Sequence, residues 1–130
     1  MSDAFTTHGA FSWAELITTD AKAAAKFYAD LLGWTMEEMP QSLGEGTYTV
    51  AKNAGRVVGG IMDIPPQAKG APPAWGMYIT VDDVDAVAAK VEALGGSIKV
   101  PPMDIPNVGR FCWIVDPQGA VFAVITYNQP

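Results

Sequence analysis

One carboxylate stands apart in this chain of 130 residues. Glu15 interrupts the apolar, aromatic run FSWAELIT between Phe11 and Thr18. A carboxylate among apolar neighbours has to be paired or solvated, because removing water from the charged form is costly and raises its pKa. A raised pKa is what a general base or proton shuttle uses. An ion pair with Arg56 or Arg110, or an edge position open to water, satisfies the same carboxylate without chemistry, and the sequence leaves both readings open. Trp13 lies two residues earlier and shares Glu15's face on an alternating strand. Trp75, Trp113, Tyr48 and Tyr78 supply further flat walls, each with one N–H or O–H. Met62 offers an adaptable thioether, and Arg110 can orient an anionic or carbonyl group. Each has a plainer use: core packing for the indoles and Met62, a solvent-directed hydroxyl for Tyr78, a solvated turn flank for Arg110.

Other chemistries are thin. Cys112 sits between Phe111 and Trp113 with no histidine near it in sequence, and a buried apolar thiol has a high pKa and is inert. As the single cysteine it excludes an intramolecular disulfide and a CxxC zinc site, and it fits a reducing compartment. His8 is the only histidine, so several imidazoles cannot converge on a metal within one chain. With 8 Lys+Arg, none clustered, against 14 Asp+Glu, the net charge of −6 supplies no footprint for nucleic acid or an anionic membrane surface. The start of the chain lacks a cationic segment followed by an apolar run, and no stretch is apolar for long enough to span a bilayer. The expectation is a soluble, cytoplasmic protein whose partner is a small molecule.

The elements that would position these groups can be read from spacing. Residues 11–18 read as a strand and Asp20 as a helix cap. Ala24, Phe27, Tyr28, Leu31 and Leu32 recur at helical spacing up to Gly33. Residues 34–39, 47–52 and 56–64 read as strands, separated by a loop at 40–46 and a turn at Asn53-Ala54-Gly55. The proline-rich stretch 65–73 reads as a linker. The grammar then restarts: a strand at 75–81, Asp82 as cap, and a helix with Val84, Val87, Ala88, Val91 and Leu94 on one face, closed by Gly95-Gly96. Strands follow at 97–100, 111–115 and 120–127, the last two joined by Asp116-Pro117-Gln118-Gly119.

The halves overlay at an offset of about 62 residues, pairing Trp13 with Trp75, Ile17 with Ile79, Thr18 with Thr80, Asp20 with Asp82 and Gly33 with Gly95. Two βαβββ modules, with Asp20, Phe27-Tyr28 and Leu32-Gly33-Trp34 in the first and the Asp116-Pro117-Gln118-Gly119 turn entering the last strand, resemble the vicinal oxygen chelate superfamily, which includes glyoxalases, bleomycin resistance proteins and extradiol dioxygenases. The resemblance implies an α+β fold over residues 1–130. Its two tandem modules, about residues 8–64 and 74–128, would form a curled, cup-shaped mixed sheet with the helices outside.

That scaffold carries several activities, so function has to come from the site. Metal-dependent members place His, Gln or Glu on the first and last strand of each module, facing into the cup. Carried onto this chain, those positions fall on Trp13, Gly76, Ala123 and the segment holding Gly59, Gly60 and Ile61. None binds a divalent metal through its side chain, and Glu15 or Asp63 alone does not make a site. The resemblance thus implies a metal-independent binding protein with no cofactor, whose aromatic cup of Trp13, Glu15, Tyr48, Met62, Trp75, Tyr78, Arg110 and Trp113 takes a planar or cationic organic ligand. An alternative is an enzyme of lyase or isomerase type with Glu15 as base and Tyr78 or Arg110 polarising a carbonyl. A third is a metal-dependent glyoxalase-like lyase or dioxygenase with donors from elsewhere. A homodimer is expected in each case.

Overall fold

The computed structural model describes residues 3–41 and 47–128, so most of the loop expected at 40–46 lies outside the described residues. The chain resolves into two units, one of residues 13–76 and one of residues up to 12 together with those from 77 onward. The first unit contains β1 (Phe11–Thr18, entering at Trp13), α1 (Ala21–Leu32), β2 (Thr35–Pro40), β3 (Thr47–Asn53) and β4 (Arg56–Asp63). Its strands are ordered β2-β3-β4-β1, with β1 parallel to β4 and the other pairs antiparallel. The second contains most of β5 (Ala74–Thr80), then α2 (Val84–Ala88), β6 (Ser97–Ile105), β7 (Gly109–Val115) and β8 (Val121–Tyr127). Its order, β6-β7-β8-β5, repeats the connectivity of the first, with β5 parallel to β8. The duplicated βαβββ pattern of an α+β fold is therefore present. No helix among the described residues is long and apolar enough to cross a membrane.

Local chemistry explains the helix ends. Asp20 is extended and accepts from the backbone N–H of Ala23 at 3.0 Å, while Asp63 accepts from that of Ala21 at 2.8 Å. Two carboxylates thus satisfy donors that the first turn leaves unpaired. At the other end Gly33 takes a φ of 77°, and its N–H closes onto the Ala29 carbonyl. The apolar stripe differs from expectation. No α1 residue is fully buried; Ala24, Ala25, Tyr28 and Ala29 are half-buried, whereas Phe27, Leu31 and Leu32 are exposed. The helix meets its sheet through a narrow strip of alanines and Tyr28, which leaves Phe27, Leu31 and Leu32 outward.

In the second unit the cap is Asp83, not Asp82: the Asp83 carboxylate accepts from Ala86 N–H at 3.2 Å. Asp82 instead donates its own N–H to His8 Nδ1 at 3.0 Å, so its backbone is engaged before the helix begins. The helix is also shorter than its apolar spacing predicts, giving way to a 3₁₀ turn at Glu92–Leu94. A Cβ at Gly96 would lie 2.8 Å from the Val115 carbonyl oxygen, so the chain passes close to β7 as it leaves this turn. Val81, Val84, Val91, Cys112, Ile114 and Val124 form the core beneath α2. The sixth strand runs on through Pro101 and Pro102 to Ile105, beyond its expected end, with one register shift before the prolines and one across them. Bulges of this kind absorb residues that cannot donate to the ladder.

The β3–β4 hairpin carries an improvable turn. Asn53 pairs with Arg56, leaving Ala54 and Gly55 as a two-residue loop in which both have positive φ, 53° and 84°. That geometry favours Asn-Gly, because an alanine Cβ crowds the backbone in the left-handed region. Ala54→Asn should raise stability by about 1 kcal/mol, read as a higher urea midpoint at unchanged slope. An unchanged or lower midpoint would remove the argument.

A buried carboxylate relay as candidate functional site

In the unit of residues 13–76, one face of the sheet gathers four of the eight singled-out side chains. Pairing sets Glu15 opposite Gly60, and Gly60 opposite Val50. Alternation then brings Trp13 and Glu15 of β1, Tyr48 of β3 and Met62 of β4 to the same face. Glu15 is buried, 7% exposed, while Trp13, Tyr48 and Met62 are half-buried. The Tyr48 hydroxyl donates to Glu15 Oε2 at 2.7 Å, and Trp13 Nε1–H donates to the Tyr48 oxygen at 3.0 Å. The result is a directed relay, indole to phenol to carboxylate. Each donor polarises the next, and a hydroxyl on a carboxylate is among the stronger neutral-donor bonds. Such a carboxylate can receive a ligand's proton or bind a ligand's donor group.

The relay depends on a residue that sequence reading gave no role beyond a vacant ligand position. The Tyr48 ring lies over Gly60, and a Cβ built at residue 60 would overlap its hydroxyl. Gly60 is flanked by Gly59, where a Cβ would run into the Ala14 carbonyl. Two glycines inside a strand pattern are the available signal for such close approach. Asp63, considered above as a donor, is instead the second cap of α1.

The other expected cup residues fall into separate groups. Trp75 donates through Nε1 to the Tyr28 hydroxyl at 3.0 Å and stands edge-on to both Tyr28 and Trp34, which stack on each other with centroids 5.8 Å apart. In the second unit Tyr78 and Trp113 meet edge-to-face at 5.1 Å. Both flank Ala123 in the pairing, and this residue without bulk lets the rings touch across the strand between them. Arg110 is three residues from Trp113 and so lies on the opposite face of β7. Its guanidinium forks onto Asp85 of α2, with Nε to Oδ2 at 2.8 Å and Nη2 to Oδ1 at 3.0 Å, and also reaches Asp104 at 3.1 Å. These contacts tie helix to sheet at the edge of a cleft of about 310 Å³ lined by Asp82, Asp83, Asp85, Asp104 and Tyr127 among others. Cys112 is fully buried, and desolvation pushes its thiol up. Among the described residues, no three His, Cys, Asp or Glu side chains are grouped to hold a metal ion.

The Arg110 hydrogen bonds hold the Asp85 carboxyl below its usual value, against a weaker opposing effect of burial. A depressed folded-state pKa contributes stability above the unfolded value, and that contribution is lost as pH falls through the folded one. Wild type should therefore lose more stability than Asp85→Asn between pH 5 and 3. Parallel acid melting curves for the two would remove this contribution.

Residues 10–124 match the family model described as Glyoxalase/Bleomycin resistance protein/Dioxygenase superfamily. The chain belongs to this superfamily. Among relatives, this glyoxalase-superfamily chain is 43% identical over 122 residues to "Putative glyoxylase CFP32" of Mycobacterium tuberculosis, covering 93% of the chain and 47% of the relative. It is 35% identical to the anthracycline biosynthesis protein DnrV of Streptomyces peucetius, covering 89% and 46%. The chain thus spans about half the length of these relatives. Among solved structures, methylmalonyl-CoA epimerase from Mycobacterium tuberculosis superposes with a TM-score of 0.64 at 13% identity, covering 99% of this chain and 93% of that one. At that identity the likeness speaks for the superfamily fold alone.

Proposed function

We propose that this superfamily member binds a planar or cationic organic molecule, without a metal or other cofactor, on the face that carries Glu15, Tyr48, Trp13 and Met62. The observation that carries the reading is the carboxylate itself. Glu15 is buried among aromatic side chains and held by the Tyr48 hydroxyl, whereas a carboxylate with only a structural role is more cheaply left in water. An indole and a phenol beside an anion suit a flat or positively charged ligand. The names of the relatives, a glyoxylase and an anthracycline biosynthesis protein, both denote proteins that handle small molecules.

The test is thermal unfolding of untagged protein with planar aromatic and cationic compounds, alongside elemental metal analysis and melting with and without chelator. Stabilisation by one compound class, with no stoichiometric metal and no chelator effect, is expected. Near-stoichiometric metal, or a panel without any shift at high micromolar concentration, would overturn the reading. An enzymatic reading with Glu15 as base is favoured by one feature: the 2.7 Å bond from Tyr48 fixes the orientation of the carboxylate. Turnover abolished by Glu15→Gln with ligand still bound would establish it. The proposal extends to a homodimer, supported by the exposed Phe27, Leu31 and Leu32 on α1, and to a cytoplasmic setting, supported by a lone buried cysteine. Sedimentation checks the first, fractionation of the source cell the second.

A further inference from the structure

We infer that two copies of this chain associate through α1, with the helices antiparallel about a two-fold axis at Phe27 and Ala23 of each copy receiving Leu31 of the other. The inference rests on the homodimer reading above and names its contact.

The outward side of α1 is built of two ridges. Residues four apart line up along a helix surface, so Ala23, Phe27 and Leu31 make an apolar ridge, and Lys22, Lys26 and Asp30 a charged one beside it. Ala23 and the three charged residues are exposed, and Phe27 and Leu31 are 58% and 61% exposed. The sheet is met by Ala24, Ala25, Tyr28 and Ala29, so packing within the unit leaves the apolar ridge uncovered. Phe27 is nevertheless held in place. Its ring stands edge-on to Tyr28 with centroids 5.2 Å apart, and Tyr28 is fixed by stacking on Trp34 and by accepting from Trp75 Nε1–H. An exposed aromatic ring that is already ordered gives up little side-chain entropy on contact, which is the property of an interface anchor.

The order of residues along the ridges points to a second copy as the occupant. The apolar ridge runs small, large, large. Turned end for end about Phe27, it sets Leu31 level with Ala23 of the second copy, four positions on either side of the axis, so each hollow over an alanine receives a leucine. The charged ridge is complementary to itself in the same sense, because Lys22 and Lys26 precede Phe27 and Asp30 follows it. With the helices antiparallel, Asp30 comes level with Ala24 of the second copy, between its Lys22 and Lys26, and the helix dipoles oppose. A parallel arrangement would set lysine level with lysine and aspartate with aspartate. Lys26 already pairs with Asp30 of its own helix at 2.8 Å, so association extends an existing ion pair and strands no charge.

Sedimentation equilibrium on the whole chain reads the association, and cross-linking with a short bismaleimide reads its direction. Wild type should be dimeric at micromolar concentration. Phe27→Glu should raise the dissociation constant at least about a hundredfold, since a two-fold contact carries the lost anchor and the new charge twice. Cys112 is fully buried, so an introduced surface thiol is the one that reacts. Ala23→Cys mixed with Leu31→Cys should give the mixed cross-linked pair, identified by intact mass. Neither variant should cross-link alone, because in the antiparallel pair residue 23 of one copy lies eight positions from residue 23 of the other, about 12 Å along the axis. A dimer unmoved by Phe27→Glu, or a dimer without the mixed cross-link, would overturn the inference and leave the homodimer reading standing. A wild type that stays monomeric at high micromolar concentration would remove both, and binding of that monomer to anionic vesicles, lost in Phe27→Glu, would assign the face to a membrane surface instead. If Phe27→Glu does not fold, Ala23→Glu takes its place at an exposed alanine: it should dissociate the dimer likewise, and a dimer that persists would overturn the inference.

Discussion

Glu15→Gln should lower the affinity for 1-naphthylmethylamine by tenfold to about a hundredfold while changing unfolding free energy by less than about 1 kcal/mol. The two expectations come from different parts of the same side chain. A glutamine placed on the Glu15 rotamer keeps a carbonyl oxygen where Oε2 accepts the Tyr48 hydroxyl at 2.7 Å. The internal bond therefore survives, and the cost of holding a charge in a site only 7% exposed disappears. What does not survive is the attraction between the anion and a ligand cation, because the amide has no net charge and adds a donor of its own. A charge-assisted hydrogen bond is worth about 1.5 to 3 kcal/mol, which gives the stated range. Calorimetric titration and urea unfolding on the same preparation read both numbers. A variant that loses several kcal/mol and binds the amine unchanged would make Glu15 a structural residue.

Gly60→Ala should destabilise the protein by about 1 to 3 kcal/mol, the range expected when a methyl group is forced into a filled space. The penalty should vanish in a Tyr48→Ala background. Gly60 does not have positive φ, so alanine meets no backbone objection there. In a strand without a clash, glycine to alanine is neutral or mildly stabilising, since it restricts the unfolded chain. The three atoms nearest to such a Cβ belong to the Tyr48 ring and hydroxyl. Measuring the four proteins of this cycle by urea unfolding gives the coupling directly. Equal penalties in both backgrounds would place the obstruction elsewhere in the strand.

Much of this architecture is written in local patterns. Alternation in FSWAELIT, the cap at Asp20 and the left-handed Gly33 fix β1 and α1 almost to the residue, because each depends on neighbours within one turn or one pleat. The Asp116 turn is equally local. Its carboxylate accepts from Gln118 N–H at 3.0 Å and Ala120 N–H at 2.9 Å, while Gly119 supplies a φ of 101°. Period-two spacing also carries a fact that a cup built from both Arg110 and Trp113 overlooks: residues three apart on one strand face opposite ways. In the structure Arg110 accordingly turns to Asp85 of α2 while Trp113 meets Tyr78.

The α1 residues that face the sheet are less legible. Phe27, Leu31 and Leu32 have the right spacing for a core stripe, yet the helix seats on Ala24, Ala25, Tyr28 and Ala29. Hydrophobicity ranks side chains but does not say how closely two elements approach, and small residues permit the nearer packing.

By itself the sequence determined the two βαβββ patterns, the cap and the glycine end of α1, the Asp116 turn, and the sharing of one strand face by Trp13 and Glu15. Only the tertiary structure decided that Tyr48, 33 residues from Glu15 in the chain, donates to it across β4. That contact depends on the register of β1 on β4 and of β4 on β3, and on a glycine standing where the tyrosine must pass. Register is a property of two strands together, so no periodicity within one of them contains it.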